Sequence, residues 1–362
     1  MKITLFSGGR GNKNLITALS KLDKTDYDVR IIINGYDDGL STGELRDYLG
    51  NILGPSDFRK CISYLGKNTE IVKLCDYRLP VGSTQKDFDE YITKLENSTL
   101  KMYLRNFYNY VGNSDFNYSD CAIGNMLFAW FFIETQDFQE TVDRYADFLG
   151  VPDNFRIINI DRGVSRRLVA LLTDGTYLND ESSIVNLDHK TKIADFFFIP
   201  FGKRLSLKKD YKHNLIKLCA LNHIPKISNL AKDELQSSDV VIFGSGTQYS
   251  SLLPSYKILG VNLQTIVPPV YMIGNVGLDH DILNLTHEEI VDTTLNLLGD
   301  PLNIRSSICK YLCVKTENDL KFGKSFSDTY KGIKIVQNDN FMTSDKKTNA
   351  DEILKFILED IE

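Results

Sequence analysis

Three segments of this chain combine glycines, hydroxyl side chains and charged residues in a way that suits phosphate binding. They are residues 7–13 (loop 1), 37–46 (loop 2) and 244–251 (loop 3), and each follows an apolar run of β-prone residues. Glycines expose backbone N–H groups and hydroxyls add small donors, so such loops bind phosphate oxygens well. Three of them in one chain predict a nucleotide or nucleotide-sugar site at the edge of an α/β sheet.

Loop 1 has the sequence SGGRGNK and precedes a predicted helix. Its glycines let the backbone approach a phosphate, the helix N-terminus adds partial positive charge, and Arg10 and Lys13 can neutralise the ligand. The loop matches neither the GxGxxG pattern nor a Walker A loop, so a tight turn without a ligand is the alternative. The ligand contacts predicted here are Gly8, Gly9, Arg10, Gly11, Asn12 and Lys13.

Loop 2 begins with two adjacent carboxylates, Asp37 and Asp38, after an apolar strand. Neighbouring acids repel each other and lose solvation unless a divalent cation, an attacking hydroxyl or a ribose meets them. We predict both as catalytic or metal-binding residues, together with Arg46 on the following helix. An aspartate turn followed by a helix N-cap is the alternative. Further ligand contacts predicted in this loop are Gly39, Ser41, Thr42 and Gly43.

Loop 3 concentrates glycine and hydroxyl residues, with the sequence GSGTQYSS. A turn needs one or two glycines but not the additional hydroxyls, which favours a ligand site over a structural turn. The ligand contacts predicted in this loop are Gly244, Ser245, Gly246, Thr247, Tyr249 and Ser251.

Two other stretches hold polar residues at predicted helix starts. Asp57 is a candidate catalytic carboxylate, with a helix N-cap as the alternative, and the neighbouring Arg59 and Lys60 can reach a phosphate. Asn125 begins a very apolar helix, where a buried amide must be hydrogen-bonded. This amide contacts a base or sugar of the ligand, or it simply fixes a loop.

Composition narrows the class of protein. The chain has 362 residues with 42 Lys plus Arg and 48 Asp plus Glu, a net charge of −6, which disfavours nucleic-acid binding. No apolar run reaches the roughly 18 residues of a membrane span, and the N-terminus enters a strand without a signal-peptide pattern, so we expect a cytoplasmic protein without membrane contact. The six cysteines form no CxxC pair and are predicted to be free thiols. The five histidines show no metal-ligand spacing, and no GxSxG elbow is present.

Apolar periodicity predicts strands that alternate with helices. Strands are predicted over residues 2–6, 29–33, 155–160, 167–173, 176–178, 193–200, 240–243 and 270–274, and helices over 14–22, 58–65, 85–110, 126–134, 138–149, 286–298 and 349–361. Asp174-Gly175 predicts a hairpin turn. The order is typical of an α/β fold, a Rossmann-like doubly wound and mainly parallel sheet with helical and hairpin insertions.

The same pattern suggests how the chain is divided. We expect a nucleotide-binding domain over residues 1–300 with a helical insertion at about 85–150. Residues 301–362 are expected to form a small C-terminal extension that ends in a helix. Residues 203–220 are basic and poorly patterned, and 301–345 are polar and irregular.

Taken in order, these motifs resemble those of the 2-phospho-L-lactate transferase superfamily. They are SGGxG, DDGxSxGxLRDxLG, PxDxRxC, a Gly-Asn helix start and GxGxxYxSxxP, at residues 7–11, 37–50, 55–61, 124–125 and 244–254. Asn275, after a predicted strand, fits as well. The resemblance covers about residues 1–300 and is closest to the gluconeogenesis-factor, or YvcK-like, branch. Arg10 differs from the small threonine usual in the family, and the insertion at 85–118 is expected to shape an acceptor pocket.

The resemblance implies a Rossmann-like fold and one of two functions. The transferase branch moves a phosphate-bearing group from a nucleoside-diphosphate-activated donor to the hydroxyl of a small acceptor, with Mg²⁺. In that case Asp37 and Asp38 would hold Mg²⁺ or act as general base, and Arg10, Arg46 and Arg59, with Lys13, would stabilise the leaving phosphate. The other branch resembles regulators that bind a UDP-sugar or dinucleotide without catalysis. A homodimer is compatible with either branch.

Overall fold

The computed structural model describes the chain except residues 51, 181–182, 185–190, 204, 264, 278–281, 283–284, 316–319, 324–325 and 362, and except the side chain of Leu40. Its strands are β1 (Lys2–Phe6), β2 (Asp28–Ile33), β3 (Phe155–Asn159), β4 (Arg166–Leu172), β5 (Tyr177–Leu178), β6 (Ile193–Pro200), β7 (Val240–Phe243), β8 (Val270–Ile273), β9 (Lys310–Cys313), β10 (Thr329–Tyr330) and β11 (Ile333–Gln337).

Helices connect most of these strands. They are α1 (Lys13–Leu19), α2 (Leu40–Leu49), α3 (Ser56–Leu65), α4 (Thr69–Asp76), α5 (Gln85–Lys94), α6 (Ser98–Val111), α7 (Ile123–Thr135), α8 (Phe138–Leu149), α9 (Tyr211–Leu221), α10 (Asn229–Gln236), α11 (Leu253–Asn262), α12 (His287–Leu297) and α13 (Ala350–Ile361). A π-helical turn, Gln248–Leu252, directly precedes α11. In the part of the chain that is described, no helix is both long and apolar enough to cross a membrane.

The main sheet has eight strands in the order β10-β11-β9-β8-β7-β1-β2-β3. All neighbours are parallel except β10, which pairs antiparallel with β11 at the edge. The central strands are apolar on both faces, as in β7, where all four residues from Val240 to Phe243 are buried. Strands of this kind need helices on both sides, which the connections supply. The predicted doubly wound α/β fold is confirmed.

A second, three-stranded antiparallel sheet has the order β5-β4-β6. The predicted hairpin joins β4 to β5, and one face of the sheet packs with α9 around Val169, Phe197 and Leu218. The basic and poorly patterned stretch of the sequence therefore contains the regular helix α9. Asp210 caps α9 by accepting a hydrogen bond from the backbone N–H of His213 at 3.0 Å, a capping signal that the basic composition obscured.

Helices α4 to α8 form the helical insertion between β2 and β3. The almost entirely apolar α7 lies buried against α4, α6 and α8. The single helix predicted over 85–110 is in fact α5 and α6, because Asn97 interrupts it and caps α6 by accepting from the backbone N–H of Leu100 at 2.9 Å. Thr286 and Glu289 form a capping box at the start of α12, the helix predicted over 286–298.

The segment after residue 300, predicted as a small C-terminal extension that ends in a helix, has that helix and also adds strands to the main sheet. Strands β9 and β11 continue the main sheet in parallel beside β8, and α13 packs against α1. The strand residues Tyr311 and Ile333 are fully buried. The irregular polar stretches on either side of these short strands concealed them, because each strand is only four or five residues long.

Candidate functional site

The three loops meet at the carboxyl edge of the main sheet. Loop 1 follows β1, loop 2 follows β2 and loop 3 follows β7, and β1 lies between β2 and β7. After β1 the chain forms the neighbouring strand β2 on one side of β1, and it forms β7 on the other side of β1 only much later. In open α/β sheets, this switch point is where ligands bind, since the loops diverge and leave a crevice.

Loops 1 and 3 are in direct backbone contact. A Cβ atom on Gly11 would lie 2.5 Å from the Cα atom of Gly246, which itself has a φ of +133°. A Cβ atom on Gly244 would lie 2.5 Å from the Nδ2 atom of Asn12, and one on Gly8 would collide with Ser251. These glycines are therefore needed for close approach of the two loops, whether or not a ligand is bound.

Two adjoining cavities open where these loops meet. A small cavity of about 190 Å³ is lined by Gly8, Gly9, Arg10, Gly11, Asp57, Lys60, Ser245, Gly246, Thr247 and Ser251. A large cavity of about 480 Å³ is lined by Arg10, Gly11, Lys13, Asn14, Ser245, Gly246, Asn275, Val276, Gly277, Lys346, Lys347 and Thr348. Four residues line both, so the cavities form one groove that crosses the contact between loops 1 and 3.

Asp57 lines the small cavity, and its charge acts on Asp37, which is not a lining residue of either cavity. Burial and the nearby negative charge of Asp57 raise the pKa of Asp37 from 3.8 to about 6, although Lys60 opposes this. Lys60 approaches Asp57 at 3.5 Å, and the hydroxyl of Ser251 donates to Asp57 at 3.3 Å. Because these two carboxylates share Lys60, part of their negative charge is not compensated. Such a site suits a bound cation, or a proton that moves during a reaction.

Asp38 has a cationic partner of its own, which argues against the predicted Asp37–Asp38 metal pair, although the charge of Asp38 also helps to raise the pKa of Asp37. Its side chain is 4% exposed and forms an ion pair with Arg167 of β4 at 3.2 Å. The Arg167 guanidinium also stacks on the ring of Phe201, 5.1 Å from its centroid. The carboxylate partner of Asp37 is therefore Asp57. Arg167 was missed because it lies on the second sheet, far from loop 2 in sequence.

Arg46 is a structural residue, contrary to the prediction that it contacts the ligand. It is fully buried, and its guanidinium donates to the backbone carbonyls of Tyr36 at 3.2 Å, Asp37 at 3.0 Å and Arg166. It also stacks on Phe201, 4.4 Å from the ring centroid. Arg46 thus ties loop 2 to the second sheet and lines neither of the two cavities.

Arg59 and Asn125 likewise belong to a buried network behind the site. The Nε atom of Arg59 donates to Asn125 at 3.0 Å, and its Nη1 atom donates to Asp76 at 2.6 Å. Asn125 in turn donates to Ser41 at 3.1 Å. This corrects the prediction that Arg59 and Asn125 contact phosphate, base or sugar.

Four further predicted ligand contacts line neither of the two cavities. The hydroxyl of Thr42 is hydrogen-bonded to Ser56 at the start of α3, and the hydroxyl of Ser41 accepts a hydrogen bond from Asn125 at the start of α7. Ser41 and Thr42 therefore each link α2 to the start of another helix. Gly39 caps α2. A Cβ atom on Gly43 would collide with the backbone carbonyl of Asp38. These four residues therefore stabilise the conformation of loop 2 without lining the groove.

Loop 3 presents some of its predicted residues and buries others. Ser245, Gly246, Thr247 and Ser251 line the small cavity, whereas Tyr249 is 6% exposed and packs edge-on against Phe196. The prediction that Tyr249 contacts the ligand is therefore corrected. Asn12 and Gly244 also lie behind the groove surface, where the amide of Asn12 is 1% exposed.

Asn275 and Gln248 hold loop 3 in place. Asn275 donates to the backbone carbonyl of Gly246 at 3.0 Å, and Gln248 donates to the same carbonyl at 3.1 Å and to the Asn275 side chain at 3.0 Å. Gln248 was not predicted as a site residue. Its position in a π-helical turn, a feature common at functional sites, is not readable from sequence.

The described residues contain no cluster of three or more metal-ligating side chains. Mg²⁺ does not require one, because it is commonly bound by one or two carboxylates together with substrate phosphates and water. Asp37 and Asp57 fit such a role, since their mutual repulsion is reduced by a bound cation.

Comparison with known proteins identifies the family of the chain. The family model described as 2-phospho-L-lactate transferase CofD matches residues 3–359. Two curated relatives, from Thermoanaerobacterium thermosulfurigenes and Thermotoga maritima, are each named "Putative gluconeogenesis factor". They are 26% and 22% identical over 71% and 72% of this chain, and the matches span 61% and 63% of the relatives. This chain thus spans less than two thirds of their length.

Solved structures show the same fold. A member of the UPF0052 family from Bacillus halodurans, solved twice, superposes with a TM-score of 0.68 at 18–19% identity, over 98–99% of this chain and 98% of the other. The family model extends beyond residue 300 and includes the strands that complete the sheet. The chain belongs to the 2-phospho-L-lactate transferase (CofD) family.

Proposed function

We propose that this protein is a nucleotide-dependent transferase, which moves a phosphate-bearing group from a nucleoside-diphosphate-activated donor to a hydroxyl acceptor. The two adjoining cavities carry this proposal. Glycine-rich backbone and Arg10 line the part that they share, and Asp57 lies at one end, near Asp37 with its raised pKa. A diphosphate bridging the cavities would meet backbone N–H groups and a cation, with its reacting end directed to the carboxylates.

The chemistry follows from that placement. The oxygen of the acceptor hydroxyl attacks the distal phosphorus, and the bond from that phosphorus to the bridging oxygen breaks. A nucleoside monophosphate leaves, and the proton of the hydroxyl passes to Asp37. With a pKa of about 6, Asp37 is a stronger base than an ordinary aspartate and is still ionised at neutral pH. Mg²⁺ held by Asp37 or Asp57 would neutralise charge on the phosphates.

A binding protein without catalysis is the second candidate. The two curated relatives are named as a factor and not after a reaction, and Asp38, the second acid of loop 2, is already paired with Arg167. In this case the same groove would hold an intact UDP-sugar or dinucleotide, and binding would not depend on Mg²⁺.

A thermal-shift screen separates these outcomes. The protein is tested against UDP, GDP, CDP, ADP, UDP-GlcNAc and NAD, each with and without Mg²⁺. A ligand at a hundred times its dissociation constant stabilises the fold by roughly 2.7 kcal/mol. A Mg²⁺-dependent shift with one nucleoside diphosphate supports the transferase, and a Mg²⁺-independent shift with an intact nucleotide sugar alone supports the binding protein.

The Arg10→Gln variant shows whether a shift comes from this groove. Arg10 is exposed, lines both cavities and forms no ion pair with the described residues, so its loss should leave the fold intact. We expect the variant to bind the active nucleotide at least about tenfold more weakly. Arg162→Gln, an exposed arginine outside both cavity linings, is the matched control. Absence of any nucleotide-dependent shift would contradict both candidate functions.

A further inference from the structure

A strip of positive charge lies on α9 and on the loop before it, away from the groove. Residues 203–217 contain six basic residues and one acidic residue, in a chain whose net charge is −6. None of these residues lines either of the two cavities. The described lysines of this stretch, with the exposed tyrosine and isoleucine among them, form what we call the basic face: Lys203, Lys208, Lys209, Tyr211, Lys212, Ile216 and Lys217.

The fold holds the loop before α9 against the helix. The fully buried amide of Asn214 donates to the backbone carbonyl of Lys208 and accepts from the backbone N–H of the same residue at 3.1 Å. Further along, the ammonium group of Lys217 donates to the backbone carbonyl of Ser206 at 2.8 Å. The side chain of Leu205 packs on the apolar cluster beneath α9. The lysines of the loop and those of the helix are therefore presented together.

Most of the positive charge on this face is not compensated within the chain. In the part of the chain that is described, no ion pair is recorded for any of the five lysines. Two acids lie nearby. Asp210 caps α9, and the pKa of Asp174 is lowered by hydrogen bonds from Thr176 and also by the charge of Lys209. Five lysines beside two acids leave a net positive charge, which attracts anionic partners.

Two apolar side chains protrude among the lysines. Ile216 is 71% exposed, and Tyr211 at the start of α9 is 38% exposed. Lys212 and Ile216 are four residues apart and both exposed, so they share the outward face of the helix. The inward face of α9 already packs on the second sheet, where Leu218 is buried against Phe197. Packing within the chain therefore does not account for the position of Ile216.

Lysines with apolar side chains between them suit an anionic lipid surface better than an acidic protein or a nucleic acid. Protein interfaces are enriched in arginine and depleted in lysine, and arginine is the residue suited to bidentate recognition of carboxylates and phosphates. All cations of the basic face are lysines. A lipid surface requires only clustered positive charge, and it accepts apolar side chains at the boundary between headgroups and acyl chains.

We propose that the basic face docks this protein on an anionic lipid surface, with Ile216 and Tyr211 entering that boundary. The expectation of a protein without membrane contact came from the absence of a spanning run and of a signal peptide, and surface docking needs neither. Phe201, two residues before Lys203, contacts Arg46 behind loop 2. Docking would therefore hold loop 2 near the lipid, and it does not require a ligand in the groove.

Co-sedimentation of the full chain with lipid vesicles tests this docking surface. The probes are vesicles of phosphatidylcholine alone and vesicles that also contain about 30% phosphatidylglycerol. At low salt, we expect at least about tenfold tighter binding to the anionic vesicles. The preference should fall steeply with added salt, because exposed charges are screened.

Two sets of variants assign the binding to the basic face. The triple variant Lys208→Gln, Lys209→Gln and Lys212→Gln should weaken binding to anionic vesicles at least about tenfold. Its matched control removes the same charge elsewhere, at three exposed lysines outside α9 and outside both cavities, and should change binding by less than about twofold. These control substitutions are Lys24→Gln, Lys73→Gln and Lys86→Gln.

The Ile216→Ser variant distinguishes a lipid surface from other polyanions. It should weaken binding to anionic vesicles at least about threefold and leave binding to heparin unchanged, because only a lipid surface takes up the apolar side chain. Ile216 is exposed, so an unchanged melting temperature is expected and shows that the variant is folded.

Three results would overturn lipid docking. They are equal binding to both kinds of vesicle, binding to anionic vesicles that survives the triple lysine variant, and tighter binding to polyglutamate or duplex DNA than to anionic vesicles with no effect of Ile216→Ser. The last result would assign the basic face to an acidic protein or a nucleic acid. The nucleotide groove is tested separately by the thermal-shift screen, so either proposal can fail without the other.

Discussion

Asp37 is stabilised in its neutral form by the fold and is needed in its charged form by the proposed chemistry. Its carboxylate accepts a hydrogen bond only from the backbone N–H of Gly39, at 2.9 Å, among the bonds recorded in the described residues. Burial and the charge of Asp57 both favour protonation. A group held in this way costs stability at neutral pH, which is typical of residues retained for function.

The Asp37→Asn variant should therefore be more stable than the wild type at pH 7.5. An acid with a raised pKa binds more protons folded than unfolded, so its contribution to stability falls as pH rises from about 4 to about 6 and stays low above that. The shift from 3.8 to about 6 corresponds to about 3 kcal/mol, and partial solvent exposure reduces the expected gain to about 1–2 kcal/mol. Urea unfolding at pH 4 and 7.5 measures it.

Asp38→Asn is the matched control for this experiment. It removes one partner of the ion pair with Arg167 and should lower stability at pH 7.5. A destabilised Asp37→Asn protein would show that the Asp37 charge is compensated in the fold. If turnover is found, Asp37→Asn should abolish it and change nucleotide affinity by less than about threefold, or 0.7 kcal/mol.

Arg46 differs from Asp37 because the hydrogen bonds of its guanidinium stabilise the fold. Arg46→Lys keeps the charge but cannot reach three carbonyls with one planar group, so buried acceptors lose their donors at about 1–3 kcal/mol each. We expect a loss of about 2–4 kcal/mol in urea unfolding, with nucleotide affinity of the folded variant within about threefold of the wild type. Undiminished stability with lost affinity would instead place Arg46 in contact with the ligand.

At the scale of elements, the contact between loops 1 and 3 determines the shape of the groove. Gly11→Ala would place a Cβ atom 2.5 Å from the Gly246 Cα atom and 3.3 Å from the Ser245 carbonyl. Both neighbours are backbone, so the loops must separate. We expect about 1–3 kcal/mol of destabilisation and at least tenfold weaker nucleotide binding, measured by thermal shift and calorimetry.

Gly277→Ala provides the control for the loop contact. Gly277 lines the same large cavity, but a Cβ atom there would meet no heavy atom of the described residues within 4 Å. The free energy of unfolding of the Gly277→Ala variant should differ from that of the wild type by no more than about 0.5 kcal/mol. If Gly11→Ala behaves in the same way, the two loops can adjust, and their close approach is not required for binding.

The elements were easier to predict than the partners of their side chains. Gly-rich loops after apolar strands located the groove, because parallel strands bring their carboxyl ends to one edge. Arg59 and Asn125 had suitable types and positions near that edge, yet they bond to each other at 3.0 Å behind it. The sequence alone cannot distinguish a ligand contact from an internal hydrogen bond, because a buried amide or guanidinium needs hydrogen bonds in either case.

At the scale of the whole molecule, local pattern failed where the fold is assembled from distant segments. Strands β9 and β11 are short and lie between irregular stretches, so periodicity gave no strong signal. Lys346 and Lys347 reach the groove only because these strands extend the sheet and α13 packs against α1. Their position beside loop 1 depends on tertiary structure and has no counterpart in spacing along the chain.

Ile333→Ala tests whether this C-terminal part belongs to the same cooperative unit as the nucleotide site. Ile333 is fully buried in β11, and truncating a buried isoleucine to alanine costs about 2–5 kcal/mol. Because β11 pairs with β9, and β9 with β8, we expect the whole protein to lose this stability in a single unfolding transition. Lys334→Ala, at the next and exposed position, should change stability by less than about 0.5 kcal/mol. Two separate transitions, with the larger unaffected by Ile333→Ala, would mean that the C-terminal strands unfold independently of the groove they line.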